Sequence, residues 1–217
     1  METIRKNDFI EIEFTGKSNG EIFDTTNPDE AKKIGIDANV KPLIISVGHQ
    51  MLLKGFDNFL EGKGIDQKYN LHLRPELAFG PRNPSLIKLI PMRVFMEKNL
   101  NPYPGMALQL DNYITRVLSV SGGRVTVDFN NPLAGKEIDY EFKIKRKITE
   151  DKEKINALLD YFLKQRFEFE IKEDEKEKKV IFKNQEIKPF IDMFKDKFKE
   201  MTGLIFEIEK EEKKIDK

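Results

Sequence analysis

The sequence predicts an α+β protein made of antiparallel sheet and a few short helices. Three observations carry that prediction. Apolar residues alternate with period two at Ile10, Ile12 and Phe14, and again at Tyr69, Leu71 and Leu73, as in half-buried strands. Between them, Phe56, Phe59 and Leu60 fall on one helical face in a segment, Gln50 to Leu60, that ends before Gly62. Charge density then rises sharply near residue 150. From Glu150 to Lys217, 36 of 68 residues are charged, against 40 of the 149 before them. That step marks a domain boundary.

Taken in order, Ile10–Phe14 is a strand, Gly20 marks a turn, and Ile22-Phe23 start the returning strand. Pro28 to Lys33 reads as a short helix, and Leu43 to Val47 as a strand ended by Gly48. Tyr69–Leu73 is closed by Pro75. Ser121-Gly122-Gly123 joins a hairpin whose arms are Ile114–Val120 and Arg124–Phe129.

The charged tail has the composition of a solvated run, but its apolar spacing predicts a fold. Ile155, Leu158, Leu159, Phe162 and Leu163 make one helical stripe. Phe167, Phe169 and Ile171 alternate, and Val180 and Phe182 alternate after a charged turn at Glu173–Lys178. Ile187, Phe190, Ile191, Phe194, Phe198 and Met201 restore the helical period, with Gly203 placed for a left-handed cap. Leu204, Phe206 and Ile208 give a last strand. Eight of the 17 phenylalanines lie here, enough for a small αββαβ core.

Composition narrows the function. Lys plus Arg (38) and Asp plus Glu (38) cancel, so no basic excess points to nucleic acid. The absence of Cys excludes a disulfide scaffold, a thiolate metal site and a cysteine nucleophile. No run approaches the ~20 apolar residues of a membrane span, and the N-terminus has no apolar signal core. A cytoplasmic protein without membrane contact is expected. The 35% charged residues, rich in Lys and Glu, match the composition of thermophile proteins. The two histidines, His49 and His72, lack a second donor at ligand spacing and read as surface or hydrogen-bonded groups. There is no phosphate loop, dinucleotide fingerprint or G-x-S-x-G elbow. Chemistry here must work without a metal, a thiol or a cofactor.

Four segments in order resemble the FKBP family of peptidyl-prolyl isomerases. Phe14-Thr15-Gly16 is similar to the first-strand Y-T-G, and Gly20 to Thr25 to the G-x-x-F-D-[ST] strand. Pro42 to Gly48 followed by Gln50 to Phe56 resembles the P-x-x-F-x-[VL]-G block and the helix entry after it. Pro75 to Gly80 is similar to P-E-x-A-Y-G. A fifth run, Asp128-Phe129-Asn130-Asn131-Pro132-Leu133-Ala134-Gly135, resembles the D-F-N-H-P-L-A-G signature of SlyD-type members, which carry an insert in the flap. Here 47 residues separate Gly80 from Asp128, room for such an insert. The resemblance covers residues 1–149, and the added tail is similar to long-chain archaeal FKBPs. No His-rich tail follows, so nickel handling is not implied.

The resemblance implies a discontinuous FKBP domain (1–83 plus 131–149), in which an antiparallel sheet wraps a short helix. It also implies a small β-rich insert-in-flap chaperone domain (84–130), to which the sequence adds a C-terminal α/β domain (150–217). It implies peptidyl-prolyl isomerase activity with a chaperone function on unfolded polypeptides containing X-Pro. The pocket it implies contains Phe14, Phe23, Asp24, Leu43, Leu52, Leu53, Phe56, Phe79 and Tyr140. Phe56 would be the floor beneath the proline ring, the Leu53 N–H would receive a substrate carbonyl, and Asp24 would orient that region electrostatically. Phe14 and Phe79 stand where the family usually has Tyr, and Leu43 where it often has Phe. Activity is expected to survive these changes at a lowered level, and the two Tyr-to-Phe changes are what favour the rival reading, a non-catalytic holdase with a decayed pocket.

In the insert, Met92, Val94, Phe95, Met96 and Met106 are expected on an apolar client-binding groove, because a domain this small buries its apolar residues with difficulty. For the tail two readings stand side by side, homodimerisation through 150–217 and a charged, thermostabilising appendage.

Overall fold

The computed structural model describes residues 2–35, 40–110, 113–173 and 177–209. The fold is α+β. In its first half lie β1 (Phe9–Ser18), β2 (Glu21–Thr25), α1 (Pro28–Lys33), β3 (Leu43–Ser46), α2 (Lys54–Leu60) and β4 (Lys68–Leu73). There follow β5 (Ile87–Pro91), α3 (Met92–Met96), β6 (Ala107–Leu110), β7 (Tyr113–Ser121), β8 (Arg124–Asp128) and β9 (Ile138–Ile148). The last part holds α4 (Asp151–Phe162), β10 (Phe169–Glu173), β11 (Lys178–Phe182), α5 (Lys188–Thr202) and β12 (Ile205–Ile208).

The chain divides into two compact units. One comprises the described residues of Met1–Gly16, Ile22–Leu71 and Tyr140–Lys217, the other Lys17–Glu21 and His72–Asp139. A five-stranded sheet runs in the order β2-β1-β9-β4, with β3 added antiparallel to β1 so that Phe9 faces Ser46 and Ile12 faces Leu43. Period-two alternation in β1 buries Ile10, Ile12 and Phe14, and in β9 it buries Ile138, Tyr140, Phe142 and Ile144. Helix α2 lays Phe56 and Leu60 into that core.

Helix α2 is shorter than the expected Gln50–Leu60. It begins at Lys54, because the buried Asp57 carboxylate takes the N–H groups of Gly48 (2.9 Å) and Gln50 (2.8 Å) and holds them in a loop. Gly48 and Gln50 both have positive φ there, which no helix allows.

The tail folds as its spacing predicts. Strands β10, β11 and β12 form a sheet in that order, antiparallel then parallel, with α5 packed on β12 and α4 against α5. Residues 174–176 of the expected charged turn lie outside the described residues. Gly203 closes α5 in the left-handed region (φ 76°), its N–H donating to the Lys199 carbonyl at 2.8 Å. By contact the tail belongs to the same compact unit as the first strands rather than standing apart from them.

In the second unit, four antiparallel strands run in the order β5-β8-β7-β6. Their core is Phe95, Leu108, Val117, Val125 and Val127, with Met92 and Met106 packed against it.

Candidate active site

The site grows from a cage of rings. Phe56, 1% exposed, lies 4.6 Å from Tyr140, 4.8 Å from Phe142 and, edge-on, 6.1 Å from Phe14. Tyr140 also meets Phe14 (5.8 Å) and Phe23 (6.0 Å) edge-to-face. Strand alternation explains the convergence, since Phe14 on β1 and Tyr140 on β9 point to the face that α2 covers. Gly16, two residues beyond Phe14 on the same face, contributes no side chain. A Cβ at Gly16 would sit 2.7 Å from Cζ of Phe23 and 2.8 Å from Cε1 of Tyr140, so the glycine is what lets these rings approach.

Asp24, near the end of β2, is exposed as a residue, yet partial burial of its carboxyl pushes its pKa above the ordinary value, against the Thr25 backbone N–H that lowers it. The two facts describe a carboxylate on a rim, wet on one side and dry on the other. Burial and the nearby Asp24 charge hold the Tyr140 phenol far above its usual range, so it remains neutral. Among the described residues its hydroxyl has no hydrogen-bond partner.

The loop before α2 supplies a donor. Leu53 is the N-cap of α2, and its carbonyl accepts from the Asp57 N–H at 2.9 Å. Its own N–H has no partner among the described residues, as expected for the entrance of a helix. Leu52 and Leu53 are half-buried.

Of the nine residues that the sequence nominates, five are tied to one another by ring contacts or by charge. Phe14, Phe23, Phe56 and Tyr140 meet through their rings, with Asp24 close enough to act on Tyr140. Leu43, at the start of β3, lines a cleft of about 630 Å³ beside α4. Phe79 belongs to the second unit, half-buried in a turn closed by the Gly80 N–H on the Pro75 carbonyl (2.7 Å).

One nominated client-binding residue is corrected. Phe95 is 1% exposed and forms the centre of the insert core, because a four-stranded sheet with one short helix needs a large ring to fill it. Val94 and Met96 on the same helix are exposed, Met96 at 64%. Met92 and Met106 are partly buried against the core. Sequence reasoning missed Leu89 (57% exposed) and Ile114 (70%), which lie on strands β5 and β7. It also missed Phe142, which backs Phe56 and stacks on Tyr69 at 5.3 Å. The E-F-x-I alternation after Tyr140 was the signal available for Phe142; nothing local marked Ile114.

No group of three or more His, Asp or Glu among the described residues is arranged to hold a metal. His49 Nε2 lies 2.8 Å from Asn7 Oδ1 and His72 Nδ1 lies 2.7 Å from Asp139 Oδ1, so both rings are engaged in hydrogen bonds. No described helix is long and apolar enough to cross a membrane.

Comparison with known proteins matches these features. The family model for FKBP-type peptidyl-prolyl cis-trans isomerases matches residues 1–93, and that described as FKBP26, IF domain, matches residues 88–133. A short-type peptidyl-prolyl cis-trans isomerase of Methanocaldococcus jannaschii is 28% identical over 145 residues, 65% of this chain and 92% of its own. A probable FKBP-type 16 kDa isomerase of Pseudomonas fluorescens is 32% identical over 108 residues, 48% of this chain and 71% of its own. The isomerase SlyD of Pasteurella multocida is 31% identical over 108 residues, 48% of this chain and 54% of its own. The chain belongs to the FKBP-type peptidyl-prolyl cis-trans isomerase family. Its activity is accordingly the isomerisation of X–Pro peptide bonds.

Proposed function

We propose that the Phe14–Phe23–Phe56–Tyr140 cage, with Asp24 on its rim and the Leu53 N–H beside it, is the prolyl site, and that the insert captures unfolded chains for it. The observation that carries this reading is a dry aromatic cage bordered by the Asp24 carboxylate and by a Leu53 N–H that has no partner among the described residues.

Rotation about an X–Pro bond breaks amide resonance, a barrier of roughly 18–20 kcal/mol. No bond is made or broken, so the catalyst must hold the twisted amide better than the planar one. The twisted amide is less dipolar, and an apolar site favours it relative to water. Phe56 supplies the floor for the proline ring, the Leu53 N–H receives a carbonyl of the substrate, and Asp24 sets the field around the rotating group. Phe79 and Leu43 complete the site by resemblance. Phe79 cannot donate a hydrogen bond, so the reaction runs below the rate a tyrosine there would give.

The insert supports the chaperone part of the proposal. Leu89, Val94, Met96 and Ile114 are exposed on a domain whose core is already filled. Client chains held there reach the prolyl site at high effective concentration. We also propose a cytoplasmic location, and homodimerisation through 150–217, for which Met193, 76% exposed on α5, and the half-buried Phe190 and Phe194 are the support. Sedimentation at two concentrations tests the dimer, and a monomer at both removes it.

The test of the site is cis–trans exchange of a short X–Pro peptide, followed by NMR without a coupled protease. Acceleration that falls at least tenfold in Asp24→Ala and in Phe56→Leu, at unchanged fold, is the expected result. Undiminished rates in both variants would remove the proposed site. No acceleration by the unaltered chain, with client aggregation still suppressed, would make the protein a holdase.

A further inference from the structure

Helix α4 lies in the same compact unit as the prolyl cage, and one of its side chains reaches the loop that carries the Leu53 N–H. The Tyr161 hydroxyl donates to the main-chain carbonyl of Met51 at 2.6 Å. No other group among the described residues donates to that carbonyl. The loop is held from two other sides. The Met51 sulfur accepts the Ser46 N–H at 3.2 Å, and Asp57 takes the N–H groups of Gly48 and Gln50. Tyr161 adds a hold two residues before Leu53.

On its other side Tyr161 is anchored in the tail. Its ring meets Phe162 edge-to-face at 5.0 Å, and Phe162 packs on Phe194 (5.1 Å) and Phe198 (5.6 Å) of α5. Burial pushes the hydroxyl pKa up, so it stays a donor across the physiological range. The chain of contact runs from the aromatic cluster of the tail, through one hydroxyl, to the loop that opens α2.

We propose that Tyr161 is a positioning residue of the isomerase reaction, holding Met51 to Leu53 so that the Leu53 N–H faces the bound substrate, and that residues 150–217 thereby tune the affinity of the prolyl site. This rests on the reading that the Leu53 N–H receives the substrate carbonyl. The tail, for which sequence suggested only dimerisation or thermostability, then has a part in the reaction itself. That bond is made in the bound state and kept in the transition state, so loosening it raises KM and leaves kcat nearly alone.

The experiment uses the full chain, the Tyr161→Phe variant, and Phe190→Leu, which lies in the same aromatic cluster against Phe194 and Phe198 of its own helix. Exchange of a short X–Pro peptide is measured well below each melting temperature, and the Leu53 amide is followed by NMR during peptide addition. The expected result is a three- to tenfold rise in KM for Tyr161→Phe with kcat within twofold, no rise for Phe190→Leu, and a peptide-dependent shift of the Leu53 amide that weakens in Tyr161→Phe. Unchanged KM in Tyr161→Phe, or an equal rise in both variants, overturns the positioning role. A Leu53 amide that does not respond to peptide in the unaltered chain overturns instead the underlying reading of the donor, and the inference with it.

Discussion

Asn83 and Asn130, 47 residues apart in the chain, are tied by two hydrogen bonds. The Asn83 N–H donates to Oδ1 of Asn130 (2.8 Å), and Nδ2 of Asn130 returns to the Asn83 carbonyl (3.0 Å). Asp128 holds Asn130 in place by accepting from its N–H (2.9 Å) and its Nδ2 (2.7 Å), and Arg82 pairs with the other carboxylate oxygen. The two crossings into and out of the insert are thus stapled together. This gives the Asp128-Phe129-Asn130 run a physical purpose. Asn131, where the family signature has histidine, accepts the Leu133 N–H at 2.8 Å and makes its own turn.

Replacing Asn130 with alanine removes both bonds to Asn83, whose exposed main-chain groups then turn to water, a cost of about 0.5–1.5 kcal/mol per bond. Hydrogen exchange through residues 84–130 is expected to quicken while β1 and β9 stay protected. Unaltered exchange in the insert would deny the staple its role. The staple is also acid-sensitive. Burial pushes the Asp128 pKa up, but the Asn130 and Arg82 bonds outweigh it and hold it below the ordinary value. A depressed carboxylate contributes stability that is complete above the unfolded value of about 3.9 and is lost as pH falls through the folded one. Insert protection should therefore survive at pH 5 and weaken only in the acid range below about 4.

Gly16→Ala tests the geometry of the cage. The new methyl would collide with Phe23 and Tyr140, and relieving such overpacking typically costs about 1–3 kcal/mol. Displacing two walls of the site is expected to lower kcat/KM on a short peptide by about tenfold, or 1.4 kcal/mol. A variant with full activity would mean that these rings do not contact substrate.

Asp24 carries a pH signature. Its raised pKa means that, as pH falls, it takes up a proton earlier than a free carboxylate of about 3.9. If the ionised form orients the substrate, kcat/KM should have an acid limb with its midpoint above that value, and the limb should vanish in Asp24→Asn. A limb retained in the variant would assign it to another group.

Phe95 and Met96 are neighbours with opposite expectations. Phe95→Ala empties the centre of the insert core and should cost roughly 3–5 kcal/mol, unfolding that domain. Met96→Ser, on the exposed side, should leave melting unchanged and weaken action on an unfolded protein several-fold, with short-peptide rates kept. Equal losses on both substrates would contradict the division of labour.

Phe79→Tyr returns the hydroxyl that the family usually has. A neutral hydrogen bond is worth about 0.5–1.5 kcal/mol, so a two- to tenfold gain in kcat/KM is expected. An unchanged rate would show that the missing hydroxyl does not limit this site.

How far the sequence could be read depended on whether the signal was periodic. Tyr140 was nominated by the family resemblance alone, whereas Phe14 and Phe56 were legible as buried because each lies on a strand or helix whose period says which face is buried. The αββαβ tail was legible for the same reason, down to the left-handed Gly203. The start of α2 was not, because one buried carboxylate, Asp57, outbids the helix for the N–H groups of residues 48 and 50. Phe95 was misplaced because a Met- and Phe-rich stretch reads alike as core or as surface until the facing strands are known.

By itself the chain determined most of its elements and their apolar faces, since period and composition are local properties, and its motifs carried the resemblance that nominated the rings. Tertiary structure alone decided which of those rings meet, that Gly16 must lack a side chain for them to do so, and that Tyr161 reaches Met51 across 110 residues of chain. Such contacts join segments distant in sequence, and their distances follow from how the sheet and helices pack, which no local pattern encodes.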